Sequence, residues 1–263
     1  MDFEVLGLLL SVFYTPLAFG MILLSDRLVK DKESKAKGQR FEKARTKYPL
    51  LLSVFALWVL CGVICLFIQL ENRWPYYLHA MFGGTRLLSY HIPLGILVGL
   101  ALYYYELRVR IRIPIVKVFA SRLISTLERK LSSTASSQKR MQYLELYSSN
   151  WIVLLMGITN ILEEFVWRGF FITTASDKTG SVALAVILSA LVYASYHYGS
   201  GGIRNAFTHG RNGIIFAILF VLTGDLVVPF IAHATFNVLA VRGLRKMLPR
   251  LQYGYQRPPN VAR

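Results

Sequence analysis

The stretch WIVLLMGITNILEEFVWRGFFI at Trp151–Ile172 is apolar over most of its length but carries three ionisable side chains. Two of them are the adjacent Glu163 and Glu164, and Arg168 follows Glu164 by about one helical turn. A run of this length is long enough to cross a bilayer as a helix. An ionisable residue inside a membrane helix costs roughly 2.5–3.5 kcal/mol on insertion scales. The stretch therefore predicts a membrane helix whose charged cluster serves a function.

The whole chain has the composition of a membrane protein, with 54% apolar and only 17% charged residues. Its apolar residues are grouped in stretches that approach the roughly 20 residues a membrane helix needs. We predict an all-α fold, a polytopic membrane helix bundle with about seven transmembrane helices. The predicted spans are Val5–Leu24, Tyr48–Leu70, Leu87–Tyr105, Trp151–Ala175, Ser181–Tyr198, Asn212–Thr223 and Leu226–Ala240. The sixth is short, and Gly210 and Gly213 predict that it is tilted, broken or partly re-entrant.

The net charge of +16 is distributed unevenly along the chain. Most Lys and Arg residues fall in Asp26–Lys47, in Glu106–Ser149 and in the tail from Arg242. Basic loops face the cytoplasm, which predicts an N-terminus outside and a cytoplasmic C-terminus. Because these charges lie between spans, contact with anionic lipid explains them better than nucleic-acid binding does. We predict a bacterial cell membrane, with the endoplasmic-reticulum membrane as the alternative.

The chain is interpreted as one membrane domain with three sections. Residues 1–149 form an N-terminal transmembrane scaffold with basic cytoplasmic loops, residues 150–241 a catalytic core, and residues 242–263 a basic cytoplasmic tail. Within the first section, residues 114–130 have apolar positions at helical spacing (115, 118, 119, 123 and 127) with basic residues between them, which predicts an amphipathic helix on the membrane surface. The functional residues are expected in the middle section.

Hydrogen-bonding side chains are concentrated in the last four predicted spans. Besides the charged cluster, Tyr193 and His197 are four residues apart, as are His233 and Asn237. Residues at this spacing share one face of a helix. Three polar groups on separate late spans therefore predict one site between those helices.

The two adjacent glutamates are predicted to have different roles. Glu164 and Arg168 share a helix face and can pair. Glu163 is rotated by about 100° from its neighbour on an ideal helix and faces another direction. We interpret Glu164 and Arg168 as a structural ion pair and Glu163 as the chemically available carboxylate. The reverse assignment is compatible with the sequence.

Together these side chains supply the groups needed for hydrolysis by an activated water. A carboxylate such as Glu163 can accept a proton from water, and an imidazole such as His197 can orient that water or carry the proton. His233 and Asn237 can donate hydrogen bonds to a developing oxyanion. The chain has no Gly-x-Ser-x-Gly segment, which disfavours a serine nucleophile.

Three motifs in these spans resemble those of the CAAX protease and bacteriocin-processing family, also called the CPBP or Abi family. EEFVWRG at Glu163–Gly169 matches its EExxxR motif, and HATFN at His233–Asn237 matches HxxxN. YASYH at Tyr193–His197 resembles FxxxH, with tyrosine in place of phenylalanine. The resemblance covers about Trp151–Ala240 in the family's order. The tyrosine keeps the aromatic bulk and adds a hydroxyl, so we expect retained activity and a changed substrate fit.

The resemblance implies a glutamic intramembrane endopeptidase of the type II CAAX prenyl-protease class. Glu163 with His197 would activate water, and His233 with Asn237 would stabilise the oxyanion. The supporting residues would be Glu164, Arg168 and Tyr193. The implied reaction is cleavage of a membrane-associated peptide, including C-terminal processing of a prenylated CAAX-box protein. Partners would be membrane lipids and a peptide or lipidated protein substrate.

Two alternatives belong to other functional classes. In the first, Glu163, His197 and His233 hold a zinc ion with water in the fourth position. Their spacing does not resemble HExxH, and Asn237 is better explained as an oxyanion donor, so the favoured interpretation uses no cofactor. In the second, the protein is a non-catalytic immunity factor or scaffold that keeps the fold.

Overall fold

The computed structural model of the chain describes residues 2–14, 40–83, 88–106 and 150–256. Regular structure in these ranges is helical and none of them contains a strand, which confirms the all-α class for the described part of the chain. The helices are α1 (Phe3–Tyr14), α2 (Arg40–Leu70), α3 (Trp74–Phe82), α4 (Leu88–Tyr104), α5 (Asn150–Glu164), α6 (Phe171–Thr179), α7 (Val182–Thr223) and α8 (Val227–Gln256). The amphipathic helix predicted at residues 114–130 lies outside the described residues.

One described helical segment, Asn205–Thr223, is long and apolar enough to cross a membrane by length and composition. Shorter apolar segments overlap five of the predicted spans: Phe3–Tyr14, Val54–Leu70, Tyr90–Tyr104, Val182–Tyr198 and Val227–Gly243. The segment with the glutamate pair contains three charged side chains, which lower its hydropathy. The count of seven spans and their orientation stay predictions.

The predicted fourth span consists of three helical pieces. Helix α5 ends at Glu164, the six residues Phe165–Phe170 form a π-helix, and α6 begins at Phe171. The hydrogen bonds of a π-helix reach one residue further than those of an α-helix, so the turn is wider. The hydroxyl of Ser189 donates to the carbonyl oxygen of Trp167 inside this turn, at 2.5 Å. The π-helix directly follows Glu164 and contains Arg168. Because π-turns occur frequently at functional sites, this position supports a functional role for the charged cluster.

Helix α7 is continuous over 42 residues, yet it reverses direction near its middle. The side-chain amide of Asn205 donates to the carbonyl oxygen of His197 at 3.2 Å. A Cβ atom on Gly210 would lie 3.0 Å from the Cβ atom of Ala194, although a straight helix would hold these residues about 24 Å apart. The two halves of α7 therefore pack against each other in antiparallel orientation.

The second half of α7 is not broken at its glycines. It is helical through both Gly210 and Gly213. A Cβ atom on Gly213 would lie only 2.9 Å from the Cδ1 atom of Tyr193. Small residues allow this kind of close helix contact. Of the three predicted alternatives, the broken span was wrong, because these glycines are contact positions rather than helix ends, whereas a tilted or partly re-entrant span stays a prediction.

Helices α4 and α8 pack closely through glycines of α4. A Cβ atom on Gly99 would lie 2.6 Å from the carbonyl oxygen of Ala232, and one on Gly95 would lie 2.9 Å from that of Val228. These two positions let the helix backbones approach each other. The contact fixes α8, which carries His233, against α4.

We expect Gly99→Ala to lower the free energy of unfolding by about 1–3 kcal/mol, because the added methyl group must displace a backbone carbonyl. Gly62→Ala is the matched control, since nothing lies within 4 Å of a Cβ atom there and alanine favours helix. Denaturant unfolding of both variants in one detergent measures the difference. Equal stability of the two would contradict the close packing of α4 on α8.

A buried pair also holds the start of α8. The Nδ1 atom of His91 on α4 lies 3.1 Å from Oδ2 of Asp225, and both side chains are buried. The other carboxylate oxygen of Asp225 accepts the backbone N–H of Val227 at 2.5 Å. A carboxylate at this position caps the first turn of a helix. His91 and Asp225 thus fix the end of α8 that precedes the HxxxN residues.

Polar contacts join α1, α3 and α6 at one end of the described helices. The Nζ atom of Lys178 lies 2.7 Å from Oδ2 of Asp2. Glu4 is buried and accepts hydrogen bonds from the hydroxyl of Tyr77 at 3.1 Å and from Arg73 at 3.4 Å. This network attaches the N-terminal helix to the helix that follows the glutamate pair.

The contribution of Asp2 to this network is expected to depend on pH. The hydrogen bond from Lys178, with those from the backbone N–H groups of Val5 and Glu4, holds the pKa of Asp2 below its ordinary range. A lowered folded-state pKa stabilises the fold above the unfolded-state pKa of about 3.9, and this contribution is lost as pH falls through the folded-state value. Asp2→Asn keeps the helix cap but removes the charge. Its thermal midpoint should lie below that of the wild type at neutral pH and converge with it toward about pH 1. A difference that persists at the acid end would contradict this.

Candidate active site

The glutamate pair lies at the end of α5, where both side chains are buried, 4% and 1% exposed for Glu163 and Glu164. The Nη1 atom of Arg168 lies 3.3 Å from Oε1 of Glu164, so the predicted pairing is confirmed. The arginine nitrogens form no regular hydrogen bond with the described residues. The guanidinium instead lies over the ring of Tyr193, with its Cζ atom 4.3 Å from the ring centre. A cation–π contact therefore holds Arg168 beside the carboxylate.

His233 on α8 faces both glutamates. Its Nδ1 atom lies 2.8 Å from Oε1 of Glu164, and its Nε2 atom lies 3.9 Å from Oε2 of Glu163. The imidazole is buried and stacks on the ring of Phe216, with ring centres 4.9 Å apart. His233 thus connects Glu164, which pairs with Arg168, to Glu163, which is predicted to act on water.

The hydroxyl of Tyr193 lies between Glu163 and His233. It donates to Oε2 of Glu163 at 3.2 Å and lies 3.4 Å from Nε2 of His233. Tyr193 is fully buried. The hydroxyl that distinguishes this residue from the phenylalanine of the FxxxH motif is therefore part of the site.

His197 lies on the other side of Tyr193. Its ring packs edge-on against that of Tyr193, with centres 4.6 Å apart, and stacks almost parallel on that of His209 at 3.5 Å. His209 belongs to the second half of α7, so the reversal of this helix brings the two imidazoles together. Sequence reasoning left His209 unassigned because the sixth span was predicted to begin three residues later, at Asn212.

Asn237 lies one turn after His233 and contacts α5. Its side-chain amide donates to Oδ1 of Asn160 at 2.9 Å. Asn160 is buried, and both asparagines line a small cleft between α5 and α8. Sequence reasoning missed Asn160, although its position three residues before Glu163 places it on the same helix face.

The described structure does not gather the predicted zinc ligands into a metal site. Among the described residues, no group of three or more His, Cys, Asp or Glu side chains is arranged to hold a metal ion. Zinc ligands lie about 2.0–2.2 Å from a shared ion. Of the three predicted ligands, Glu163 and His233 face each other, whereas His197 is stacked on His209.

The buried carboxylates and the imidazoles and amides beside them, between α5, α7 and α8, form a candidate acid–base centre in a helical bundle. Residues 146–239 match the model of the family described as Type II CAAX prenyl endopeptidase Rce1-like. This matched segment agrees with the resemblance that the three motifs indicated, and it contains every site residue described above. The family comprises CAAX-type intramembrane proteases, which agrees with the predicted membrane helix bundle.

One relative comes from Mycoplasma capricolum subsp. capricolum. This uncharacterized protein is 29% identical to the chain over 97 residues, which cover 36% of the chain and 28% of that protein. The chain thus spans less than a third of the length of this relative. No solved structure matches the chain.

Proposed function

We propose that this protein is an intramembrane endopeptidase that hydrolyses a peptide bond with a water activated by Glu163. The observation that carries the proposal is the buried site in which Glu163, His233 and the Tyr193 hydroxyl lie within 4 Å of one another. Such a site holds a carboxylate base next to hydrogen-bonding groups and away from bulk water, as acid–base catalysis requires.

In the proposed mechanism, Glu163 takes a proton from water as the oxygen attacks the scissile carbonyl. Positioned general bases contribute about 10²–10⁴-fold to rates. The hydrogen bond from Tyr193 holds one oxygen of the carboxylate in place. His197, beside Tyr193, orients the water or carries its proton. Glu164 and Arg168 keep the buried charges paired and fix His233 from its Nδ1 side.

His233 and Asn237 stabilise the oxyanion that forms on the carbonyl oxygen. They lie one turn apart on α8 and share a helix face. The Asn237 amide carries two hydrogens, and its contact with Asn160 uses one of them. The second is available to donate to the substrate. Removing one oxyanion donor typically costs about 10²–10³ in kcat.

The proposed substrate is a peptide or lipidated protein at the membrane. The family match makes C-terminal processing of a prenylated CAAX-type protein the first candidate, with cleavage of another membrane-associated peptide as the second. We place the protein in a bacterial cell membrane, with seven spans, the N-terminus outside and the basic loops in the cytoplasm.

The test uses the purified full chain in liposomes with three synthetic substrates. These are a farnesylated CAAX-type peptide, the same peptide without the lipid, and an apolar membrane-spanning peptide. Mass spectrometry should find one internal cleavage that Glu163→Gln abolishes. Cleavage that a chelator stops and added zinc restores would favour the metal-dependent alternative. Failure to cleave any of the three would favour the non-catalytic scaffold.

A further inference from the structure

The polar groups around Tyr193 connect the proposed base to the proposed oxyanion donor. We propose that the Tyr193 hydroxyl relays a proton from Glu163 to Nε2 of His233 during the reaction. The inference rests on the proposed function, and it assigns to this chain a step that a phenylalanine at the same position could not perform. The distances that carry it are 3.2 Å from the hydroxyl to Glu163 and 3.4 Å from the hydroxyl to His233.

The contact with Glu164 determines which nitrogen of His233 carries hydrogen. Glu164 also forms an ion pair with the guanidinium of Arg168, and in that pair it is the carboxylate. An ionised carboxylate accepts hydrogen bonds and donates none, so Nδ1 of His233 carries the hydrogen at the 2.8 Å contact. In the neutral imidazole, Nε2 is then an acceptor. Before the reaction His233 therefore cannot donate from Nε2 to an oxyanion.

The relay changes this acceptor into a donor. Glu163 first takes a proton from the attacking water. The protonated carboxyl of Glu163 then gives this proton to the oxygen of Tyr193 while the hydroxyl hydrogen of Tyr193 moves to Nε2 of His233. Tyr193 ends neutral, Glu163 returns to a carboxylate, and His233 becomes an imidazolium with an N–H that can donate to the oxyanion. Imidazole is ordinarily more basic than a carboxylate by about two pH units, so the net transfer follows the usual order of basicity.

The buried charges around the relay favour uptake of one proton. With both carboxylates ionised and the imidazole neutral, the group formed by Glu163, Glu164, Arg168 and His233 carries a net charge of −1, because one cation faces two anions. One added proton makes the group neutral. A buried cluster gains from neutrality because its charges are poorly screened. Delivery of that proton to Nε2 places the new positive charge between the two carboxylates.

The remaining neighbours of Tyr193 suit this role. The guanidinium of Arg168 lies under its ring and stabilises negative charge that develops on the phenolic oxygen during transfer. The imidazoles of His197 and His209 face the ring edge-on, at 4.6 Å and 6.0 Å between centres. Gly213 leaves room for the ring. The hydroxyl is thus held by packing around the ring on several sides.

The first test is Tyr193→Phe, which removes only the hydroxyl. We expect kcat to fall by about tenfold or more, with KM changed by less than about twofold, because the lost step follows substrate binding. Tyr196→Phe is the matched control on the same helix, since its hydroxyl bonds with Tyr14 instead of Glu163. The thermal midpoints of both variants show whether the fold is kept.

A second variant keeps both the fold and the hydroxyl. Incorporating 3,5-difluorotyrosine at position 193 makes the phenol more acidic without removing it, so a proton relay should respond with a severalfold change in kcat at constant KM. A hydroxyl that only packs would leave kcat unchanged. The relay is overturned if the wild type cleaves and Glu163→Gln does not, while the phenylalanine and fluorotyrosine variants both keep the wild-type kcat. If the wild type cleaves nothing, the proposed function itself fails.

Discussion

Glu163→Gln is expected to lower kcat for peptide cleavage by about 10²–10⁴-fold while leaving substrate binding largely intact. Glutamine has nearly the same shape and can still accept the hydrogen bond from Tyr193, but it cannot take a proton from water. Removing a buried carboxylate that lies beside Glu164 also relieves repulsion between like charges. Single-turnover cleavage of the preferred peptide in liposomes, with a parallel binding measurement, would separate the loss of chemistry from a loss of affinity.

Glu164→Gln is the matched comparison, because it changes the adjacent residue in the same way. This variant keeps the proposed base but weakens the contacts with Arg168 and His233. We expect a lower thermal midpoint and a smaller loss of kcat than for Glu163→Gln. If Glu164→Gln folded normally but lost more kcat than Glu163→Gln, the proposed roles of the two glutamates would have to be exchanged.

Arg168→Met is expected to lower the free energy of unfolding by about 3–5 kcal/mol, the largest stability effect we predict. Arg168 is fully buried and its neighbour Glu164 is 1% exposed, so removing the cation leaves a buried carboxylate without its arginine partner, although its contact with His233 remains. The variant also loses the cation–π contact with Tyr193. Unfolding by denaturant in mixed micelles measures the change.

The double variant Glu164→Gln with Arg168→Met tests the electrostatic cause. Removing both charges should be less damaging than the sum of the single changes, which gives a coupling energy between the two positions. Arg168→Lys keeps the charge but not the planar stack on Tyr193, so it should lie between the wild type and the methionine variant. Additive effects of the two charge-removing changes would show that Arg168 stabilises the fold by packing alone.

The sequence predicted the features of the site that depend on local spacing. The contact of Glu164 with Arg168 follows from their separation of four residues. This spacing brings two side chains to one face in an α-helix, and it still does so in the π-helix found here. The similarity of residues 146–239 to the CAAX-type family followed from three short motifs. Both depend on information contained within a few neighbouring residues.

The features that were missed depend on contacts between distant residues. The π-turn at Phe165–Phe170 accepts a hydrogen bond from Ser189, and nothing in its own six residues distinguishes it from an α-helix. The pairing of Asn160 with Asn237 joins two helices far apart in the sequence. Hydrophobic periodicity indicates which face of a helix is buried. It does not indicate which other helix that face contacts, nor where an α-helix changes locally to a π-helix.

The close contact between Gly213 and Tyr193 has an evolutionary consequence. A side chain at position 213 would press on the aromatic ring whose hydroxyl reaches Glu163 and His233. Any aromatic ring at position 193, tyrosine or phenylalanine, therefore favours a small residue at position 213 in the other half of α7. Among relatives, the two positions should vary together.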